Sequence, residues 1–184
     1  VVTAVFVNMI AGPLDMTNGW YAFEGAESRP RVFEFIPGTV AGETAKTVVF
    51  FSGLTVLPDA PEAYLQKADL FEFIENLPSA FDESRVLQGE IGEYVVMARR
   101  KGKSWFVGGL TNRVSREVVL RGDFLEKDTR YEVTLYTDAP TSHYTENREA
   151  YRVRRETLQG GDSLTLQMAP GGGFALWIKP KNSE

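Results

Sequence analysis

The sequence has 184 residues, of which 43% are apolar and 24% charged, a composition typical of a folded domain with a buried core. Its net charge of −5 argues against a broad basic surface for nucleic acid or an anionic membrane. Without cysteine and with one histidine, His143, the chain cannot form a disulfide, a zinc–thiolate site or a multi-histidine metal site. No apolar run is long enough to predict a membrane-spanning helix.

The first 90 residues mix strand and helix patterns. Residues 2–11 form a nearly continuous apolar run with Val, Phe and Ile, which predicts a strand buried on both faces, as in a parallel sheet. Residues 13–31 are rich in Pro, Asp, Asn and Gly and predict a long loop. In residues 41–61, β-branched side chains favour a strand, whereas the length and the Ala-Gly-Glu-Thr-Ala opening favour a helix, which we predict.

A second helix is predicted over residues 59–77. Asp59 can cap its start, and Pro61 and Glu62 suit its first turn. Pro78 ends it, because proline cannot continue a helix. Its apolar residues fall at steps of three and four: Tyr64, Leu65, Ala68, Phe71, Ile74 and Leu77.

Residues 81–87 predict a short strand, and after Gly92 the pattern changes to period two. Two apolar runs joined by Lys101-Gly102 predict a hairpin over residues 94–111. Similar runs follow: REVVLRG, RYEVTLYTD, YRVRRETL, DSLTLQMA and GFALWIKP. Short strands at this spacing predict an antiparallel sandwich, and we place a domain boundary near residue 90.

Four motifs, in order, resemble the C-terminal end of glycoside hydrolase family 97. They are MIAGPLDMTNG (9–19), LPDAPEAY (57–64), FDESRVLQGEIGEYVVMARRKGKSWFVGGLT (81–111) and MAPGGGFALWI (168–178). Members of this family have an N-terminal β-sandwich, a (β/α)8 barrel and a small C-terminal β-sandwich. The resemblance therefore implies an α+β chain: residues 1–90 are the tail of the barrel, with its strands seven and eight, and residues 91–184 are the all-β antiparallel C-terminal sandwich.

The resemblance also implies a function. The family comprises calcium-dependent α-glucosidases and α-galactosidases of periplasmic polysaccharide use, which are retaining or inverting. Their catalytic carboxylates and calcium-binding glutamates lie upstream of the strand resembled here, so we assign no catalytic residue and no calcium ligand to this chain and expect it to be inactive alone. An oligosaccharide substrate, a periplasmic location and homo-oligomer contacts are implied for the parent enzyme; nucleic-acid binding and membrane insertion are not expected.

A non-catalytic alternative remains open. The sandwich can serve as an independent module for interaction, oligomerisation or carbohydrate contact, with the first half as an adaptor. Gly171-Gly172-Gly173 leads into a strand, so a turn is favoured over a phosphate loop. The basic residues 98–103 predict a solvated hairpin tip, and His143 an exposed loop. Trp105 and Trp177 are predicted in the core.

Three candidates for the substrate side lie in the first loop: Asp15, Thr17 and Trp20. Asp15 and Thr17 follow the first predicted strand, and in a barrel the carboxyl ends of the strands carry the active site. Alternatively, Asp15 bonds its own backbone in a turn. Trp20, with Tyr21 and Phe23, can stack on a sugar ring or form the core of the loop.

Two further candidates, Asp82 and Glu83, lie near the start of the predicted strand 81–87. The resemblance places them on the strand next to the first, where they can line the same cavity. Alternatively, Asp82 pairs with Arg85 or caps a turn after Ser79.

Overall fold

A computed structural model describes residues 1–23 and 36–181; residues 24–31 of the predicted loop lie outside this part. The helices are α1 (Val2–Val7), followed by a 3-10 turn (Asn8–Ala11), α2 (Val40–Val49), α3 (Pro61–Leu65) and α4 (Ala68–Glu75). The strands are β1 (Glu83–Glu90), β2 (Tyr94–Lys101), β3 (Ser104–Thr111), β4 (Arg116–Arg121), β5 (Arg130–Asp138), β6 (Tyr151–Gln159), β7 (Ser163–Met168) and β8 (Gly173–Pro180).

The strands form two antiparallel sheets. A six-stranded sheet has the order β1-β2-β3-β8-β5-β6, and a two-stranded sheet pairs β4 with β7. The small sheet covers one face of the large sheet, and the helices cover the other. This arrangement confirms the predicted antiparallel sandwich, including the hairpin, in which Lys101 pairs with Ser104.

Both faces of the central strands are buried. On β2, Val96 and Ala98 enter the core between the two sheets, whereas Val95 and Met97 enter a core beneath the helices. Alternate residues of a strand point to opposite faces. The apolar run in β2 is therefore unbroken because each face has its own cover.

Two glycines on β3 let other groups approach the sheet closely. A Cβ atom on Gly108 would lie 2.7 Å from the Ala45 carbonyl oxygen of α2 and 3.1 Å from Val48 Cβ. A Cβ on Gly109 would lie 2.3 Å from the Phe174 ring. Helix α2, buried along its whole length, thus packs directly on the β3 backbone.

We expect Gly108→Ala to lower the free energy of unfolding by about 1–3 kcal/mol, because the added methyl forces α2 away from the sheet. Denaturant unfolding of the 184-residue chain measures the change. Gly53→Ala is the matched control, since a Cβ there meets nothing within 4 Å. Equal stability of the two variants would show that α2 shifts without cost.

The predicted strand over residues 2–11 is wrong, because this segment forms α1 and the 3-10 turn. Val2, Val5, Phe6 and Met9 fall on one helical face and pack against Val95, Met97 and Leu110. Within residues 1–23 and 36–82 the structure has no β-strand, so no strand seven is present there.

The strand predicted over residues 81–87 is confirmed as β1, but its partner is unexpected. It pairs antiparallel with β2, with Glu83 opposite Arg100. The large sheet therefore begins ahead of the boundary predicted near residue 90. The division into 1–90 and 91–184 otherwise stays a prediction.

The helix predicted over residues 41–61 is present in its first half, as α2. The helix predicted over 59–77 is interrupted after Leu65, which is 75% exposed; α4 begins after Lys67, whose φ and ψ of −130° and 45° are not helical. Asp59 does not cap α3, because Ala60 is the N-cap residue and no side chain caps it. The carboxylate of Asp59 instead accepts hydrogen bonds from the Tyr21 and Ala22 amides.

Candidate functional site

Five consecutive backbone amides, Gly19–Phe23, donate hydrogen bonds to three side-chain carboxylates. Glu43 accepts from the first two amides at 3.1 and 3.4 Å. Asp59 accepts from the next two at 2.6 and 2.8 Å, and Glu149 accepts from the last at 2.6 Å. We call residues 19–23 the clamped segment. It has no helix or strand of its own, so the carboxylates satisfy amides that would otherwise be buried without acceptors.

Two lysines neutralise two of these carboxylates. The Lys46 ammonium contacts Glu43 Oε1 one helical turn along α2, and Lys67 Nζ lies 2.6 Å from Glu149 Oε2. The Glu43 side chain is completely buried, and that of Lys46 is 10% exposed. A buried carboxylate is tolerated only when it is paired and hydrogen-bonded, and both conditions hold for Glu43.

Tyrosine hydroxyl groups fix the clamped segment from the other side. The Tyr64 hydroxyl donates to the Gly19 carbonyl at 3.1 Å and accepts from the Asp59 amide at 3.0 Å. The Tyr21 hydroxyl lies 2.7 Å from Thr44 Oγ1 on α2. Burial raises the pKa of Tyr21 far above its usual value, so this hydroxyl stays protonated. The segment is thus bonded through its amides, a carbonyl and a side chain.

Asp15 and Thr17 lie just before the clamped segment. Both are exposed, and they alternate with the half-buried Leu14 and Met16, which pack against the core beneath α1. Asn18 is buried, and its Oδ1 has no hydrogen-bond partner within the described residues. The role of Asp15 and Thr17 on the substrate side stays a prediction.

Trp20, the third candidate, is 8% exposed. It belongs to the core formed by Tyr21, Phe23 and the helices. This position favours the alternative in which these aromatic residues form the core of the loop. Trp105 is likewise buried, as expected, and Trp177 is partly buried on β8.

Asp82 and Glu83 bond to the hairpin between β2 and β3. Asp82 accepts from the Gly102 amide at 2.8 Å and from Lys101 Nζ at 3.0 Å. These two donors, the amide first, lower the pKa of Asp82. The predicted hairpin tip is therefore stabilised by Asp82, and a role for Asp82 on the substrate side stays a prediction.

Glu83, the next residue, forms ion pairs with two arginines. It pairs with Arg85 at 2.5 Å and with Arg100 at 3.1 Å, and these guanidinium groups lower the pKa of Glu83. Arg85, considered as a partner for Asp82, thus pairs with Glu83.

Two other features of the sequence are the triglycine at 171–173, which leads into β8, and His143, which lies in a loop between strands. Gly171, with a φ of 64°, lies in the turn between β7 and β8, in agreement with the predicted turn. His143 lies in the loop between β5 and β6, where it is partly buried rather than exposed. Its ring lies against Tyr144, and its Nδ1 accepts from the Thr145 amide at 3.3 Å.

The described residues contain no candidate metal centre and no candidate membrane-spanning helix. Within 1–23 and 36–181, no three His, Asp or Glu side chains converge as metal ligands. In the same part of the chain, no helix has the length and apolar character needed to cross a bilayer.

The sequence does not reveal the role of the three clamping carboxylates. One signal was available for Glu43, since Glu and Lys at i and i+3 of a helix lie on the same face and can pair. Asp59 was noticed, but in the role of a helix cap. Glu149 lies 126 residues from the amide it binds, and no local pattern predicts such a contact.

Comparison with known proteins identifies the family. Residues 80–179 match the family described as "Glycosyl-hydrolase 97 C-terminal, oligomerisation". The chain belongs to this family. The resemblance seen in the four motifs is thereby confirmed. The matched region begins just before β1, so this strand belongs to the family domain.

Two curated relatives cover almost all of the chain. A retaining alpha-galactosidase of Bacteroides thetaiotaomicron is 37% identical over 178 residues, which are 95% of this chain and 26% of that protein. A probable retaining alpha-galactosidase of Streptomyces bingchenggensis is 33% identical over 94% of this chain and 24% of its own length. The chain therefore spans about a quarter of the length of these relatives.

A solved relative shows the same fold. A glycoside hydrolase family 97 enzyme from Pseudoalteromonas sp. strain K8, in complex with panose, superposes with a TM-score of 0.88 at 30% identity. The match covers 98% of this chain and 28% of that one. The helices before the sandwich are thus included in the likeness.

Proposed function

We propose that this chain is the C-terminal part of a retaining α-glycosidase that hydrolyses α-linked galactosides. The observation that carries the proposal is its 37% identity, over 95% of the chain, to a protein named a retaining alpha-galactosidase. The panose complex of the family 97 enzyme keeps α-glucosides as the competing substrate class. Retention of configuration is part of the same proposal and is measured separately from the substrate preference.

Glycoside hydrolysis uses two carboxyl groups placed on either side of the scissile bond. In this chain, Glu43 and Glu149 are bonded to amides and lysines, and Asp82 and Glu83 to the hairpin. We therefore assign the acid, the nucleophile and the calcium-binding glutamates to other parts of the protein. The proposal also includes calcium dependence and a periplasmic location, which are supported by the family resemblance alone.

Residues 1–82 are proposed to be the end of the catalytic barrel that abuts the sandwich. Support comes from the superposition of 98% of the chain on the family 97 enzyme. This part of the chain also has exposed apolar side chains: Val7, Ile10, Leu54 and Val56 are each at least 59% exposed. Burial against the remaining three-quarters of the protein would remove this apolar surface from water.

The sandwich itself is proposed to carry homo-oligomer contacts. The description of the matched family, which covers residues 80–179, names oligomerisation. We thus propose that the catalytic barrel carries the glycosidase activity and that the sandwich carries the oligomer contacts of the same protein.

The full-length protein that contains this chain tests the proposal. We expect it to hydrolyse p-nitrophenyl α-galactoside with a kcat/KM at least about tenfold above that for the α-glucoside, and we expect proton NMR to show α-galactose as the first product. The 184-residue chain is expected to show no turnover, with or without calcium. A preference for the glucoside, or β-galactose as first product, would contradict the assigned substrate or stereochemistry. Turnover by the short chain would contradict the assignment of the catalytic groups.

A further inference from the structure

We propose that the free edge of β7 binds an extended, acidic segment of a second copy of the protein, which adds to the small sheet as a third strand. The inference rests on the proposed function and deepens it, because it names the surface that makes the homo-oligomer contacts. Both β7 and the neighbouring β6 lie within residues 80–179, the region whose family description names oligomerisation.

The backbone of β7 has an edge with donors and acceptors that point away from β4. Just beyond the β4–β7 ladder, the Gly122 amide donates to the Asp162 carbonyl at 2.8 Å. Bonded and non-bonded pairs alternate along an antiparallel ladder, so Val119 and Thr165, three pairs further on, are a non-bonded pair. The Val119 carbonyl accordingly accepts from Gln88 Nε2 of β1 at 2.6 Å. The amide and carbonyl of Thr165 therefore face away from β4.

The other three edges of the two described sheets are protected against further pairing. β1 has a bulge between Val86 and Gln88, and β6 carries three arginines and a glutamate between residues 152 and 156. The Gln88 amide covers the edge of β4 at Val119. Bulges and charges are usual means by which edge strands avoid adding another strand. β7, with the sequence SLTLQM, has no charge, no proline and a continuous register against β4, so its edge is suited to pairing.

A groove of about 510 Å³ lies beside this edge. Arg154 of β6 lies opposite Leu135 of β5 and shares the face on which Leu135 enters the core between the sheets. Arg152, two residues earlier, points to the same face. Both arginines are exposed and line the groove together with Thr165 and Gln167 of β7. A strand added to β7 therefore lies over the two arginines.

The two arginines determine the chemistry of the added segment. Arg154 is 3.5 Å from Glu156, and among the described residues Arg152 forms no ion pair. Asp138, at the end of the groove, accepts from two amides and a hydroxyl of the chain. Residues two apart on a strand are separated by about 6.6 Å, so acidic residues at alternate positions of an extended segment match the arginine spacing. The net charge of −5 favours attraction of a second copy to this basic groove.

Two other occupants of the groove are disfavoured. Among the described residues, no aromatic ring lines the groove, so it lacks the surface on which a sugar ring stacks. The added strand is not β7 of the second copy, because the two-fold axis of such an antiparallel pair is perpendicular to the sheet. β6, which extends past β7, would then overlap the large sheet of the other copy. The segment therefore comes from another part of the second copy.

The test uses Thr165→Pro in the full-length protein that contains this chain. Proline removes the outward amide and leaves the bonds between β4 and β7 in place, since this amide takes no part in them. We expect the dissociation constant of the oligomer, measured by sedimentation velocity over a range of concentrations, to rise at least about tenfold, because a backbone hydrogen bond to the added strand is lost. Thr165→Val is the matched control, since it keeps the amide, and we expect it to leave the dissociation constant unchanged.

The double variant Arg152→Glu/Arg154→Glu tests the groove without altering the backbone of β7. We expect a rise of at least about tenfold in the dissociation constant, because the new carboxylates repel an acidic segment. Arg121→Glu is the control, since Arg121 pairs with Asp123 outside the groove and 74% of its side chain is exposed. This double variant remains the test if Thr165→Pro does not fold.

Two results would overturn the inference while the wild type is oligomeric. One is an unchanged dissociation constant in the double arginine variant or in folded Thr165→Pro. The other is an equal weakening by Thr165→Val, which would show that the side chain, and not the strand edge, makes the contact. A monomeric wild-type protein would refute both the inference and the homo-oligomer contacts of the proposed function, so the two failures are distinguishable.

Discussion

In the 184-residue chain, Glu43→Ala is expected to lower the free energy of unfolding by about 3–5 kcal/mol, the usual cost of removing one partner of a buried ion pair. The substitution leaves the Lys46 ammonium, 10% exposed, without its counter-charge. It also leaves the Gly19 and Trp20 amides without their acceptor, and each buried, unsatisfied donor adds to the cost.

Urea unfolding measures the loss. Glu132→Ala is the control, because its ion pair with Lys179 is partly exposed, and pairs in contact with solvent contribute less than about 1 kcal/mol. The double variant Glu43→Ala/Lys46→Ala is expected to be more stable than the two single effects would sum to, since the orphaned charge is gone. A loss below about 1 kcal/mol for Glu43→Ala would show that the pair is solvated and the clamp dispensable.

The sandwich was predictable because its sequence signals are local. Alternation along β4 and β7, and the turn at Lys101-Gly102, specify strands and a hairpin without knowledge of their neighbours. The strand order was not predictable, because β8 lies between β3 and β5. Such pairing depends on contacts between residues far apart in the sequence.

The first segment was assigned wrongly for a physical reason. In residues 2–11 the apolar run contains too few polar residues to reveal a period, so a strand and a helix give the same pattern. The face that packs, Val2, Val5 and Phe6, follows helical steps only once its partner is known. Tertiary packing therefore decides the structure of this segment.

The candidate site was predictable only in outline. The motif containing Asp15 indicates the stretch that precedes the clamped segment, and in the structure Asp15 and Thr17 of this stretch are exposed. The carboxylates that bind the clamped segment come from α2, the α3 junction and a loop of the sandwich. Nothing in the local sequence of Glu149 indicates that its partner is the Phe23 amide.

Asp138 joins three elements at the start of α2. Its Oδ1 accepts from the Thr39 hydroxyl at 2.6 Å, and its Oδ2 accepts from the Ala169 and Gly173 amides at 2.9 and 2.8 Å. Thr39 is itself the N-cap residue of α2 and accepts from the Gly42 amide. Asp138 therefore connects the start of α2 and the end of β5 to the turn between β7 and β8.

We expect Asp138→Ala to lower the free energy of unfolding by about 3 kcal/mol, because it removes the acceptor of two amides and a hydroxyl. Asp138→Asn is expected to retain most of the stability at neutral pH. Its carbonyl oxygen can accept from both amides, and its NH₂ group can donate to Thr39 Oγ1. Similar, large losses in both variants would contradict this account of the contacts.

The free energy of unfolding depends on pH because the Asp138 carboxyl group is protonated at low pH and ionised at high pH. Burial raises the pKa of Asp138 from 3.8 to about 6, so between these values the folded state binds the proton more tightly than the unfolded state. The contribution of Asp138 to stability is therefore fully present below pH 4, falls by at most about 3 kcal/mol as the pH rises to 6, and is constant above it. The difference in unfolding free energy between wild type and Asp138→Asn, measured from pH 4 to 7, isolates this change because the other groups titrate alike in both. We expect the wild type to lose stability relative to Asp138→Asn over that range, and a difference independent of pH would contradict the raised pKa.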